Sequence, residues 1–145
     1  MATLDPSDEL AVRALVGRYA DAVNTGDADG WGGTWAEEAV WHISGRELSG
    51  RDRIVEFWRS AMASFESVIQ MVAQGQVRAE GEGAAGRWTI WEVGRRDGGG
   101  TLVVGCYQDR YVRVAGEWRF AERRFTATYR GEIPAGQFSA FPPVG

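Results

Sequence analysis

Apolar residues at Val12, Leu15, Val16, Tyr19, Ala20 and Val23 recur every three or four positions, the spacing of one face of an amphipathic helix. Asp5 or Ser7 caps this predicted helix and Pro6 suits its first turn. It should end near Asn24-Thr25-Gly26-Asp27, where Gly26 takes a left-handed cap and Asp27 caps a short second helix running to Trp35. Glycines at 30, 32 and 33 weaken that second helix. Residues 39–43 then read as a short strand and 45–50 as a loop. A third helix follows, with Ile54, Phe57, Trp58, Ala61, Met62 and Phe65 on one face.

From Glu66 onward the period changes. Segments 68–79, 87–93, 101–114 and 117–129 are rich in β-branched and aromatic residues and are separated by glycine-bearing turns, which predicts an antiparallel meander. Gly98-Gly99-Gly100 and Ala115-Gly116 are its hairpin tips. Helices first and strands after them predict an α+β fold, a curved antiparallel sheet wrapped as a cone around the N-terminal helices. No linker or repeat divides residues 1–145, so a single domain is expected. The tail 133–145, with Phe138 and Phe141, is too apolar for a free end and is expected to dock on the mouth or on a neighbouring subunit.

Composition narrows the chemistry. A 145-residue chain with 44% hydrophobic and 25% charged residues supports one ordinary globular core. Seven Trp, six Phe and four Tyr exceed what packing alone demands and favour an aromatic-lined cavity or a subunit interface. The net charge of −4 carries no basic stripe, which argues against nucleic acid. A lone Cys106 and a lone His42 cannot build a structural zinc site or an internal disulfide. No signal pattern or membrane-length apolar run is present, so the expected compartment is the cytoplasm, with no membrane partner.

The element order, with the phrases Arg18-Tyr19-Ala20, Asn24-Thr25-Gly26-Asp27, Glu38-Ala39-Val40-Trp41, Gly50-Arg51, Cys106-Tyr107-Gln108-Asp109-Arg110-Tyr111 and Gly116-Glu117-Trp118-Arg119-Phe120, resembles the SnoaL-like branch of the nuclear transport factor 2-like superfamily. The run from Tyr129 to Phe141-Pro142-Pro143 is most similar to its hexachlorocyclohexane dehydrochlorinases, with scytalone dehydratase a more distant relative. The dehydrochlorinases remove HCl with an Asp–His dyad, the histidine taking the proton and the aspartate orienting it. The matching positions here are Asn24 and Gln70, and neither amide accepts a proton near neutral pH, so that mechanism does not transfer. Two facing amides could still bind a carbonyl or hydroxyl.

The resemblance places Trp41, Tyr19 and Arg123 at pocket positions, the arginine able to stabilise a departing anion or oxyanion. Alternation adds Tyr107, Asp109 and Tyr111 on one strand face, which brings Asp109 toward Arg123. Asp109 is the remaining candidate base, although an arginine partner should depress its pKa. An inward Trp41 implies an outward His42, Asp21 reads as a solvated helix residue, and Trp58, Trp88 and Trp91 read as core.

The leading expectation is a cofactor-independent cyclase, isomerase or lyase acting on a small apolar or polycyclic molecule. Asn24 and Gln70 hold its polar atoms, Trp41, Tyr19 and Tyr107 shape it, Arg123 stabilises negative charge and Asp109 serves as acid or base. The alternatives are a non-catalytic binding protein of the same fold and an oligomerisation platform. A homo-oligomer, dimer or trimer, is expected.

Overall fold

Residues 3–138 are described by a computed structural model. Helix α1 (Pro6–Thr25) is capped by Asp5, whose carboxylate accepts from the Ser7 amide at 2.8 Å, and closes at Gly26 with φ 69°. Its buried face carries the residues that the spacing picks out. Asp27 caps α2 (Ala28–Gly32), which stops well before Trp35 because Gly33 and Thr34 already lead into β1 (Trp35–Ile43). The expected 45–50 loop is largely an edge strand, β2 (Arg46–Ser49), in which only Leu48 is buried. Helix α3 (Arg51–Met62) buries Ile54 and Trp58 against β1 and α2.

The remaining strands are β3 (Ser67–Val72), β4 (Gln76–Glu80), β5 (Gly83–Arg96), β6 (Gly99–Val114) and β7 (Glu117–Ile133). The single segment read at 68–79 is thus two strands, both paired antiparallel to successive halves of β5. The sheet order is β2-β1-β7-β6-β5-β3, with β4 beside β5. Every pairing is antiparallel except β1 with β7, a parallel contact between the first and last strands. The β5–β6 and β6–β7 connections are tight hairpins through Asp97-Gly98 and Ala115-Gly116, all four residues at positive φ, as the mirror-image hairpin turn requires.

The long strands bend where β7 carries one extra residue relative to β6. One such shift lies between the Arg110–Glu122 and Tyr111–Phe120 pairs, and another between the Val104–Tyr129 and Gly105–Ala127 pairs. The result is a strongly curved, unclosed sheet with α1 lying against its inner face. The core there is aromatic: Trp31, Trp35, Trp41, Trp58, Tyr19 and Phe120 pack ring against ring, with Trp31 and Trp58 stacked at 4.5 Å. Trp91 is a correction to the sequence reading. It is 55% exposed, because Trp88 and Ile90 face inward and alternation turns residue 91 out.

Of the tail, residues 133–138 are described. The Gly136 amide donates to the Gly98 carbonyl at 3.2 Å and the Arg95 guanidinium lies over the Phe138 ring. Phe141 and the two prolines lie outside the described residues.

Candidate functional site

The inner face of the sheet is a set of cross-strand rows. One aligns Gln70 on β3, Glu92 on β5, Val103 on β6 and Arg130 on β7; another aligns Trp88, Tyr107 and Phe125. Further along β6, Asp109 pairs with Arg123, and Trp41 on β1 sits beside Arg123. Alternation within each strand therefore collects the polar groups of four strands beneath α1.

Asn24 does not face the Gln70 side chain. Its carbonyl oxygen accepts from the Gln70 backbone N–H at 2.6 Å and its amide donates to the Gln70 backbone carbonyl at 3.2 Å. The side chain thus completes a short ladder with β3, tying the end of α1 to the sheet edge. The expected pair of facing amides is replaced by a helix-to-strand clamp. The physical reason is that Gln70 lies on the edge strand β3, whose main-chain groups are open on that side.

The Gln70 side chain, 3% exposed as a residue, points inward instead. Its Nε2 donates to Glu92 Oε2 at 2.9 Å and reaches the Tyr107 hydroxyl at 3.3 Å, while its Oε1 is buried without a partner. Glu92 is only part-buried. Burial pushes its carboxyl above the usual range, opposed by the Gln70 hydrogen bond and by the charge of Arg130. The Tyr107 phenol is held well above its ordinary value, mainly by burial, and remains a neutral donor. Glu92 is the functional candidate missing from the sequence reading. The signal was present, since the inward alternation of Trp88 and Ile90 continues to residue 92.

Arg123 is 1% exposed and pairs with Asp109 through two bonds, Nε to Oδ1 at 2.8 Å and Nη2 to Oδ2 at 3.1 Å. Tyr111 donates to Asp109 Oδ2 at 2.7 Å and Trp88 donates to the Tyr111 oxygen at 2.7 Å. The guanidinium carbon lies 3.5 Å from the Tyr107 ring centroid and 4.3 Å from those of Tyr19 and Phe120. Arg123 Nη1 is buried and unpartnered. The expected depression of the Asp109 pKa is corrected: complete burial pushes it up, against the pull of Arg123 and Tyr111. Burial disfavours the Arg123 charge as well, but Asp109 and the surrounding tyrosines outweigh it and the guanidinium stays protonated. Neutralising Asp109 would strand that charge in an aromatic cage, so the two remain an ion pair near neutral pH.

Tyr19, Trp41 and Tyr107 all point inward and are buried. The indole N–H groups of Trp31, Trp35 and Trp41 are buried without acceptors. His42 faces out, with Nε2 3.2 Å from Glu122, and Asp21 is exposed. Surface grooves of about 430 to 520 Å³ are formed by the described residues; Asn24, Gln70, Trp41 and Arg123 do not line them, and Asp109 borders one. The inner aromatic rings close on one another, and of the Gln70–Glu92–Tyr107 cluster Gln70 and Tyr107 are buried while Glu92 is part-exposed. Among the described residues, no group of three His, Cys, Asp or Glu side chains could hold a metal ion, and no helix is long and apolar enough to cross a membrane.

Residues 6–124 match the SnoaL-like domain family. A search of curated proteins finds no match. Among solved structures, the chain is similar to hexachlorocyclohexane dehydrochlorinase type 3 from Novosphingobium barchaimii, with 16% identity over 96% of this chain and 100% of that one and a TM-score of 0.78. A protein provisionally described as a scytalone dehydratase, from Novosphingobium aromaticivorans, gives 16% identity over 96% and 94% with a TM-score of 0.80. A Mycobacterium tuberculosis protein of unknown function gives 28% identity over 85% and 76% with a TM-score of 0.73.

Proposed function

The chain belongs to the SnoaL-like family, and from that premise we propose that it is a cofactor-independent cyclase, isomerase or lyase for a small apolar or polycyclic molecule. The observation that carries this reading is the Gln70 carboxamide. Its donor is committed to Glu92 and Tyr107 and its buried acceptor is left unpaired. An apolar lining with a few oriented, unsatisfied polar atoms is what a small-molecule site requires. Two of the similar structures carry names of eliminations, a dehydrochlorinase and a dehydratase, which supports the lyase variant.

In this reading Tyr19, Trp41 and Tyr107 shape the substrate and Gln70 Oε1 accepts from its hydroxyl. Arg123 offers Nη1 to developing negative charge. Asn24 is a positioning residue that acts through the Gln70 main chain. Asp109 has both oxygens engaged and serves as the counter-ion of Arg123, not as an open acid or base. Orientation of a bound substrate contributes up to about 7–11 kcal/mol in favourable cases, so a weak base suffices.

The second reading is a binding protein without turnover. The mutual neutralisation of Asp109 and Arg123 and the engagement of the Asn24 amide favour it, because each removes a group from direct chemistry. Incubation with small polycyclic ketones and phenols separates the two. An enzyme yields a product detectable by mass spectrometry, and Gln70→Leu abolishes that product and weakens ligand-dependent thermal stabilisation. A carrier gives stabilisation alone.

Self-association is also proposed, through the outer sheet face. There Met71, Trp91, Val104 and Tyr129 form one cross-strand row, and Met71, Trp91 and Tyr129 are each about half exposed.

A further inference from the structure

We propose that Glu92 is the general base of the site, with Gln70 positioning it, so that a cross-strand Gln–Glu pair does the proton transfer at the inner face. The inference rests on the enzyme reading above. Three geometric observations carry it. Glu92 and Gln70 are direct partners in the β3–β5 register, and one carboxylate oxygen accepts from Gln70 Nε2 at 2.9 Å, which fixes the carboxylate's orientation. Glu92 faces inward with Ile90 and Trp88 but is only part-buried, whereas the Asp109 side chain is fully buried and saturated by Arg123 and Tyr111. The Tyr107 hydroxyl, a neighbour through the same Gln70 nitrogen, accepts there and keeps its own proton to give.

These groups fit deprotonation at a carbon beside a carbonyl. Glu92 takes the proton as the C–H bond breaks, the electron pair forms the enolate double bond, and the carbonyl electrons move onto oxygen. Tyr107 donates to that oxyanion. The proton on Glu92 returns to another carbon in an isomerisation, is replaced by a solvent deuteron that is then delivered to the same carbon in an exchange, or is lost to water once a β-leaving group departs with its electron pair. The charged or titratable groups facing Glu92 are Arg130 in its own row and Tyr107 and Tyr19 beyond Gln70. Burial raises Glu92 and so strengthens it as a base, while Arg130 limits the rise.

The test uses 2-tetralone, a bicyclic ketone, in D2O, with loss of its C1–H proton signal followed by NMR and binding followed by thermal shift. Wild-type protein should bind it and accelerate exchange about 100-fold or more over buffer. The rate should rise with pH through one ionisation above the ordinary carboxylate range. Glu92→Gln should bind equally and fall to the buffer rate. Glu92→Asp, which keeps the carboxylate one methylene away, should retain a reduced rate and carries the test should Glu92→Gln fail to fold. Binding without exchange, or undiminished exchange in Glu92→Gln, overturns the proposal and leaves the pocket reading standing. Absence of binding to wild type overturns both.

Discussion

Gln70 cannot trade a proton near neutral pH, yet its side chain decides what its neighbours do. It orients Glu92, meets Tyr107 and leaves one buried acceptor open. Burial raises the Glu92 pKa above the usual 4.5, so folding penalises the charged carboxylate more than the protonated carboxyl. That contribution to stability is complete below the ordinary carboxylate range and is lost as pH rises through the raised value. Glu92→Gln stays neutral, so its stability relative to wild type should grow across that window, as measured by urea denaturation at successive pH values; a constant difference would contradict the shift. At the ion pair, Asp109→Asn leaves the Arg123 charge buried and should cost about 3–5 kcal/mol in the same assay. A cost below about 1 kcal/mol would mean that the pair is hydrated. Alternation was enough to place Tyr107, Asp109 and Tyr111 on one face and His42 opposite Trp41. Glu92 was not legible as a site residue because its partnership with Gln70 is set by the β3–β5 register, which sequence does not print.

Asn24 works at the scale of elements, fastening the end of α1 to edge strand β3 with two hydrogen bonds. Asn24→Ala should cost about 1–3 kcal/mol by leaving main-chain groups of Gln70 unpaired, and should speed hydrogen exchange at the Gln70 amide more than elsewhere on β3. Unchanged protection there would sink the clamp. Ala115 opens the β6–β7 hairpin at φ 51° and is followed by Gly116 at φ 82°. Asn tolerates this conformation better than Ala, so Ala115→Asn should raise stability by about 0.5–1 kcal/mol in thermal unfolding. The helices were legible because their apolar spacing is regular and their caps are local. β2 was not: Arg46-Glu47-Leu48-Ser49 has one buried side chain and pairs only at an edge. The break between β3 and β4 was equally hidden, because β5 is long enough to partner both.

Across the whole molecule, the parallel β1–β7 contact brings the first strand beside the last and delivers Trp41 to Arg123. Such a pairing joins residues some eighty positions apart, beyond the reach of local pattern, although helices followed by strands did indicate the class. The curved sheet has two faces with different work, a polar-dotted aromatic interior and an outer row containing exposed Trp91. If that row mediates assembly, sedimentation velocity should find an oligomer that Trp91→Glu reduces to monomer without altering the circular dichroism; a monomeric wild type would refute it. Binding of a small apolar molecule in the interior can be followed through the tryptophan indole N–H signals by NMR during titration with 2-tetralone. Binding inside the sheet should shift Trp41, beside Arg123, and the adjoining Trp31 and Trp35, whose buried N–H groups lack acceptors, with Trp91 unmoved. Shifts confined to Trp91, or none at saturating ligand, would contradict it.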